Sequence, residues 1–196
     1  MIGRSNVGKS SLINALVRRS VARTSGAPGK TRLANIYRVA RGSSSPFYLV
    51  DLPGYGYARG GSDDFARISE DYLRSRRGQA VLLLVDSRHP GLQSDLEAWR
   101  WLKTTVAASA LVATKIDKLA RGERIRALRE LQSVFDDPVL PVSAATGEGL
   151  DELWKLIDSL TNLNQKPRNR SSGPAAPPLQ KRPPARSEFR KNPQKR

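Results

Sequence analysis

The chain has 196 residues and a net charge of +16, from 34 Lys and Arg against 18 Asp and Glu. That length allows one domain with its own core and some remainder, and the absence of cysteine excludes disulfides and thiolate metal sites. The longest apolar runs, such as Ala80–Val85, are too short to span a bilayer, and Met1–Ser5 lacks the apolar region of a signal peptide, so the cytoplasm is the expected compartment.

Glycine and proline clusters punctuate the chain into alternating strands and helices. Lys9–Arg19 is predicted to be a helix, with Leu12, Ile13 and Leu16 on one face. Val21–Leu33 is a polar loop containing Gly and Pro. Asn35–Arg41 and Phe47–Asp51 read as strands joined by the Gly42–Ser45 turn, a hairpin. Asp63–Arg77 reads as a helix. Ala80–Asp86 is continuously apolar up to its last residue, as a central parallel strand should be. A helix over Ser94–Thr104, a strand over Ala110–Thr114 and a helix over Gly122–Phe135 follow. The strand Val139–Ser143 and the closing helix Glu148–Leu160 complete the pattern. Such alternation implies a mostly parallel sheet with helices on both faces. From Leu163 onward the composition turns to Pro, Arg, Lys, Asn, Gln and Ser. Ten basic residues there face the single acid Glu188. Residues 163–196 are therefore expected to be a disordered basic tail, and residues 1–162 the folded domain. The basic balance of body and tail points to a polyanionic partner.

Gly3, Arg4, Ser5, Asn6, Val7, Gly8, Lys9 and Ser10 match G-x-x-x-x-G-K-[ST]. The glycines let backbone amides curl around phosphates, and the helix that follows presents its positive end to them. Lys9 would neutralise β- and γ-phosphate charge, the Ser10 hydroxyl would ligate Mg²⁺, and Ser11 would sit beside them. Only Met1 and Ile2 precede Gly3, so the first strand is expected to be missing from this chain, with an apolar strand supplied upstream in a working version. Asp51, Leu52, Pro53 and Gly54 form D-x-x-G at the end of an apolar strand. There Asp51 would hold Mg²⁺ through water and the Gly54 amide would meet the γ-phosphate. Between the two motifs, Gly29-Lys30-Thr31 lies in a loop long enough to fold over a nucleotide, and Thr31 is the candidate for completing the magnesium shell.

Tyr55 follows Gly54, where many GTPases carry a glutamine that orients the attacking water. A phenol cannot place water in the same way, so slow intrinsic turnover is expected. Asn6 points to K⁺, since asparagine at this place in GTPases resembling this one coordinates K⁺ instead of an arginine finger. Lys9, Asn6, Thr31 and Gly54 are thus the candidate catalytic residues. Thr114-Lys115-Ile116-Asp117 closes a strand as [NT]-K-x-D, in which the Asp117 carboxylate accepts two hydrogen bonds from guanine. The Lys115 stem would pack over the base. Thr114 stands where asparagine is commoner, which should weaken its contact with the base. Ser143-Ala144-Ala145, after the next strand, would supply backbone amides for guanine O6, and Val142 is counted with Ser143 and Ala144 among the nucleotide-binding residues.

These residues together resemble the EngB (YihA/YsxC) family of P-loop GTPases, of the TRAFAC class. The similar segments are G-R-S-N-V-G-K-S-S-L-I-N-A-L at Gly3–Leu16, P-G-K-T at Pro28–Thr31 and V-D-L-P-G-Y-G-Y-A at Val50–Ala58. V-D-S-R-H at Val85–His89, T-K-I-D at Thr114–Asp117 and S-A-A-T-G-E-G-L-D-E-L-W at Ser143–Trp154 also match. The resemblance implies an α/β fold, a Ras-like G domain that binds GTP and GDP with Mg²⁺. It also implies a role in large ribosomal subunit assembly that normal growth and division septation require, with the ribosomal large subunit or rRNA as partner. A monomer without membrane attachment is expected. Three other readings stay open: a P-loop kinase or ATPase, a hydrolysis-poor RNA-binding module and a membrane-associated GTPase. His89 is read as fixing a local loop before it is read as a base. Trp99, Trp101 and Trp154 are read as packing before stacking platforms. Arg67, Arg74, Arg76 and Arg77 are equally a solvated helix face and a track for rRNA phosphates.

Overall fold

A computed structural model describes residues 1–22, 24, 34–40, 46–55, 69, 72–73 and 79–165. The described strands are β1 (Ile2–Gly3), β2 (Asn35–Val39), β3 (Phe47–Asp51), β4 (Ala80–Asp86), β5 (Ala108–Thr114) and β6 (Val139–Pro141). The described helices are α1 (Lys9–Val17), α2 (Gln93–Thr105), α3 (Arg121–Phe135) and α4 (Leu150–Gln165), with a single 3₁₀ turn at Ile116–Lys118. Strands β1, β4, β5 and β6 form a parallel sheet in that spatial order. β2 and β3 form the antiparallel hairpin, from Asn35 opposite Asp51 to Val39 opposite Phe47. The predicted turn at 42–45, most of the predicted 63–77 helix and everything beyond residue 165 lie outside the described residues.

The side-chain alternation of β4 shows why its whole apolar run is needed. Leu82 and Leu84 face a core built with Leu12, Ile13 and Leu16 of α1 and Leu153, Ile157 and Leu160 of α4. Val81, Leu83 and Val85 face the opposite core, with Trp99 and Leu102 of α2 and Leu131 and Phe135 of α3. A strand covered on both faces by helices has no polar side to show. The helices supply their stripes at spacings of three and four residues, as Leu153, Ile157 and Leu160 illustrate.

Of the expected first strand, the chain holds two residues. β1 pairs with β4 at the edge of the described parallel sheet, with Ile2 opposite Leu83 and Gly3 opposite Leu84. Met1 carries the hairpin beside it: its amine donates to the Val50 carbonyl at 2.6 Å, and its own carbonyl accepts the Leu52 amide at 3.2 Å. Beyond these contacts the edges of β3 and β4 part around a cavity of about 360 Å³, bordered by Leu49 and Val50 on one side and Ala80 and Leu82 on the other. These two residues lead into the loop that follows. They do not fill the space between the flanking strands.

Candidate nucleotide-binding site

The loop from Arg4 to Gly8 leaves β1 and turns directly into α1. Gly8 adopts φ 110°, a left-handed conformation that disfavours a side chain, and Asn6 is also left-handed at φ 62°. Gly3 has a different reason to be glycine: an added Cβ would lie 2.6 Å from the Leu84 carbonyl oxygen. Lys9, buried in the first turn of α1, folds back so that Nζ donates to the Gly3 and Arg4 carbonyls at 3.0 and 3.2 Å. Burial lowers its pKa and the Asp51 charge opposes that shift. Ser10 Oγ donates to Asp51 Oδ2 at 3.0 Å, tying the loop to the end of β3.

Asp51 is 1% exposed, and its second oxygen, Oδ1, is buried with no hydrogen-bond partner among the described residues. Burial pushes the carboxyl above its usual range, against the pull of Lys9 and Ser10. A hydroxyl and a carboxylate side by side, one oxygen unsatisfied, are the hard donors Mg²⁺ takes, and that ion completes its shell with waters and phosphate oxygens. No cluster of three or more His, Cys, Asp or Glu occurs among the described residues.

At the other end, the T-K-I-D and S-A-A segments meet. Asp117 Oδ1 accepts the Ser143 hydroxyl at 2.7 Å, and Ser143 Oγ accepts the Ala145 and Thr146 amides at 3.2 and 3.1 Å. The Ser143 bond holds the Asp117 carboxyl below its ordinary pKa, with Lys118 assisting. Lys115 adopts φ 63°, and its Nζ bridges the Asn6 carbonyl at 2.5 Å and Asp86 Oδ2 at 3.0 Å. A cavity of about 320 Å³ lies here, walled by Gly8, Ser11 and Leu12 on one side and by Thr114, Lys115, Asp117, Lys118, Ala144 and Ala145 on the other. The phosphate loop and the base-selecting motif therefore line one space.

Residues 1–115 match the family described as 50S ribosome-binding GTPase. Over 171 residues the chain is 44% identical to "Probable GTP-binding protein EngB" of Thermotoga maritima, covering 83% of this chain and 86% of that protein. The chain belongs to the EngB family of GTPases. It binds guanine nucleotides and hydrolyses GTP. Among solved structures, a crystal structure of a probable GTP-binding protein engB superposes with a TM-score of 0.60 at 24% identity, over 83% of this chain and 97% of that one. Era in complex with MgGDPNP and nucleotides 1506-1542 of 16S ribosomal RNA superposes with a TM-score of 0.71 at 23% identity, over 90% of this chain and 57% of that one. Both share the fold.

Within this GTPase fold several candidate site residues turn out to act from behind. The side chains of Val7, Leu52 and Val142 are buried in the two cores, so only their backbones can border the site. For Val142 even the backbone is committed, since its amide donates to Ala113 O at 2.8 Å. Thr114 is 3% exposed, and its hydroxyl lies 2.7 Å from Val7 O and 3.1 Å from Val85 O. It fastens the phosphate loop to β4 and β5, while Thr114 still borders the cavity beside Lys115. Arg4 is turned away, its Nε 3.6 Å from Asp95 Oδ1. Pro53 is buried beside Gly54, while Asn6 stands exposed at the loop tip. Gly29 and Thr31 lie outside the described residues, as do Arg67, Arg74, Arg76 and Arg77.

Sequence reasoning missed Asp86. It is 3% exposed and receives Arg88 Nε and Nη2 at 2.9 and 2.7 Å as well as Lys115. Burial alone would raise its carboxyl, but these donors hold it well below the usual range. Its position at the end of β4, facing the T-K-I-D loop across the sheet, was the available signal. His89 is exposed, with its amide on Asp86 O at 3.0 Å, in a loop role. Trp99 belongs to one core, and Trp101 and Trp154 pack against the cores.

Proposed function

We propose that the chain is a Mg²⁺-dependent GTP switch with slow intrinsic turnover, acting in assembly of the large ribosomal subunit, on which normal cell division and septation depend. The observation that carries the nucleotide part is the shared cavity, with Gly8 and Ser11 on one wall and Asp117 and Lys115 on the other. In this reading Asp117 selects guanine, the Lys115 stem covers the base, and Ser143 and Ala144 present the loop beside O6. Phosphate oxygens displace the Gly3 and Arg4 carbonyls from Lys9 Nζ. Ser10 and Asp51 would hold the Mg²⁺, Asp51 through water, and Thr31 would complete its shell in the GTP state. When bound, the ion supplies positive charge to the phosphate oxygens and leaving group. The Gly54 amide meets the γ-phosphate, which is how a triphosphate orders loops that a diphosphate releases.

Slow turnover follows from Tyr55, whose phenol donates to Asp95 Oδ1 at 2.8 Å in a buried site and so offers no side chain to an attacking water. The missing group then comes from outside, from K⁺ held through Asn6 or from the partner. Support for an RNA or ribosomal partner comes from the charge of +16, from exposed Arg18, Arg19 and Arg38, and from the rRNA bound by the structurally similar Era. The basic residues after Leu163 add further phosphate contacts, so deleting them lowers the salt dependence of RNA binding. The protein acts as a cytoplasmic monomer. Among the described residues, no helix is long and apolar enough to cross a membrane. Capture of ribosomal particles by the chain loaded with a GTP analogue or with GDP tests the reading. Preferential retention of large subunits with the GTP analogue is expected, and equal retention in the two states overturns the switch. Turnover rates alike in K⁺ and Na⁺ would remove the cation's part.

A further inference from the structure

The five residues from Asp51 to Tyr55 are pinned at both ends against the phosphate loop. At one end is the Ser10–Asp51 bond of 3.0 Å. At the other, Tyr55 pairs with Arg4 as a parallel strand would, and its carbonyl accepts the Ser5 amide at 3.0 Å. The Tyr55 side chain, 7% exposed, reaches past the loop to Asp95 in the first turn of α2. Asp95 is 2% exposed, accepts the phenol at 2.8 Å and has the Arg4 guanidinium behind it at 3.6 Å. Gly54 lies between these anchors, so close to the loop that an added Cβ would be 2.7 Å from Ser5 N and 2.8 Å from Ser5 Cα.

A phenol buried against a carboxylate costs desolvation of both groups, and an apolar ring at position 55 would pack into the same core without that cost. What the polar pair adds is direction. The Tyr55 hydroxyl donates to Asp95, and that bond holds the residue whose backbone lies along the phosphate loop. The residue before it, Gly54, inherits that place. We propose that Asp95 is a positioning residue for GTP recognition and hydrolysis, acting through Tyr55 to set the Gly54 amide against the phosphate loop at the point where a third phosphate arrives. α2 thereby becomes part of the nucleotide-sensing machinery, although nothing in its sequence resembles a nucleotide motif. The inference rests on the reading of the Lys9 loop and Gly54 as the phosphate site.

Because GDP has no third phosphate, the anchor matters to GTP alone. Tyr55→Phe removes the donor and keeps the ring. It should weaken binding of a non-hydrolysable GTP analogue by about tenfold, the size expected for one hydrogen bond to a buried carboxylate, with GDP affinity unchanged. The single-turnover rate should fall along with analogue affinity. Asp95→Asn keeps an acceptor for the phenol and should lie between wild type and Tyr55→Phe. The double variant should be no worse than Tyr55→Phe alone, as members of one chain of contacts require. A merely structural pair would lower both affinities together in step with the melting temperature. A GTP-analogue to GDP affinity ratio within twofold of wild type in Tyr55→Phe and in Asp95→Asn overturns the proposal. Lys9→Ala separates the two levels. If it binds GTP as wild type does, the phosphate-site reading falls and this inference with it. If it loses GTP while the ratio in Tyr55→Phe stays flat, only the role of Asp95 falls.

Discussion

Replacing Asp117 by asparagine exchanges one oxygen for nitrogen and should invert what the base end of the cavity recognises. Ser143 determines how the new amide sits. Its Oγ accepts the Ala145 and Thr146 amides, so its single hydrogen is directed to residue 117, 2.7 Å away. In Asp117→Asn the amide oxygen stays on Ser143 and the NH₂ turns into the cavity. Guanine presents N1–H and an exocyclic amine, both donors; the amide oxygen can still accept N1–H, while the contact with the amine becomes donor against donor. A hydrogen bond to a charged acceptor contributes about 1.5–3 kcal/mol, so losing one removes roughly that much. At about 1.4 kcal/mol per tenfold, guanine-nucleotide affinity should drop by roughly one to two orders of magnitude. The ion pair with Lys118, at 3.4 Å and on an exposed lysine, adds little. Xanthine carries a carbonyl where guanine has its amine and should now be preferred. Competition of GDP and XDP against a fluorescent GDP analogue measures the ratio, with thermal melting as the control for folding. A GDP to XDP ratio within threefold of wild type would refute the assignment of Asp117, and with it the shared cavity as the nucleotide site.

Four further outcomes are expected. Ser143→Ala removes the donor that lowers the Asp117 pKa, so affinity for GDP, which needs the carboxylate, should fail at a higher pH on acidification than in wild type; overlapping pH titrations would contradict this. Asp86→Asn should cost about 1–3 kcal/mol in urea unfolding near neutral pH, because Arg88 and Lys115 lose their common acceptor. The folded Asp86 pKa is depressed, so the stabilisation is present above the ordinary carboxylate pKa of about 3.9 and is lost below it; the wild-type advantage should hold from pH 7 to 5 and narrow as pH falls further. Gly54→Ala would drive its methyl into the Ser5 backbone, so a loss of about 1–3 kcal/mol and weaker GTP binding are expected, read by melting and titration. Leu83→Ala, at a fully buried position of the central strand, should cost about 2–5 kcal/mol in the same unfolding assay without altering the GTP to GDP ratio.

The phosphate loop, D-x-x-G, T-K-x-D and the Ser143 segment were legible because each is local chemistry. A tight turn needs glycine at Gly8, an oxygen donor must follow the lysine at Ser10, and a strand must deliver Asp51 or Asp117 at its end. The continuous apolar run of β4 likewise announces a strand covered on both faces. Periodicity placed the four described helices to within two residues, except that α4 runs on to Gln165, and the boundaries moved where backbone bonds replaced pattern. Val142, for instance, reads as strand but follows β6, its amide still donating to Ala113.

What depends on distant segments meeting was not legible. Thr114 reads as a weakened base contact, yet its hydroxyl is used 107 residues away on Val7. Asp86 reads as the end of a strand, yet it anchors Lys115. Tyr55 stands out in sequence only as a missing glutamine, and nothing in Gln93–Thr105 marks Asp95 as its acceptor. A hydrogen bond between residues 40 apart leaves no trace in local spacing, because either partner alone is ordinary. The sequence by itself determined that this is a guanine-nucleotide-binding GTPase and which loops are the candidates for holding the nucleotide. Tertiary packing alone decided which polar side chains border the cavity and which brace the loops from behind, because burial and direction exist only once β1, β4 and β5 lie side by side.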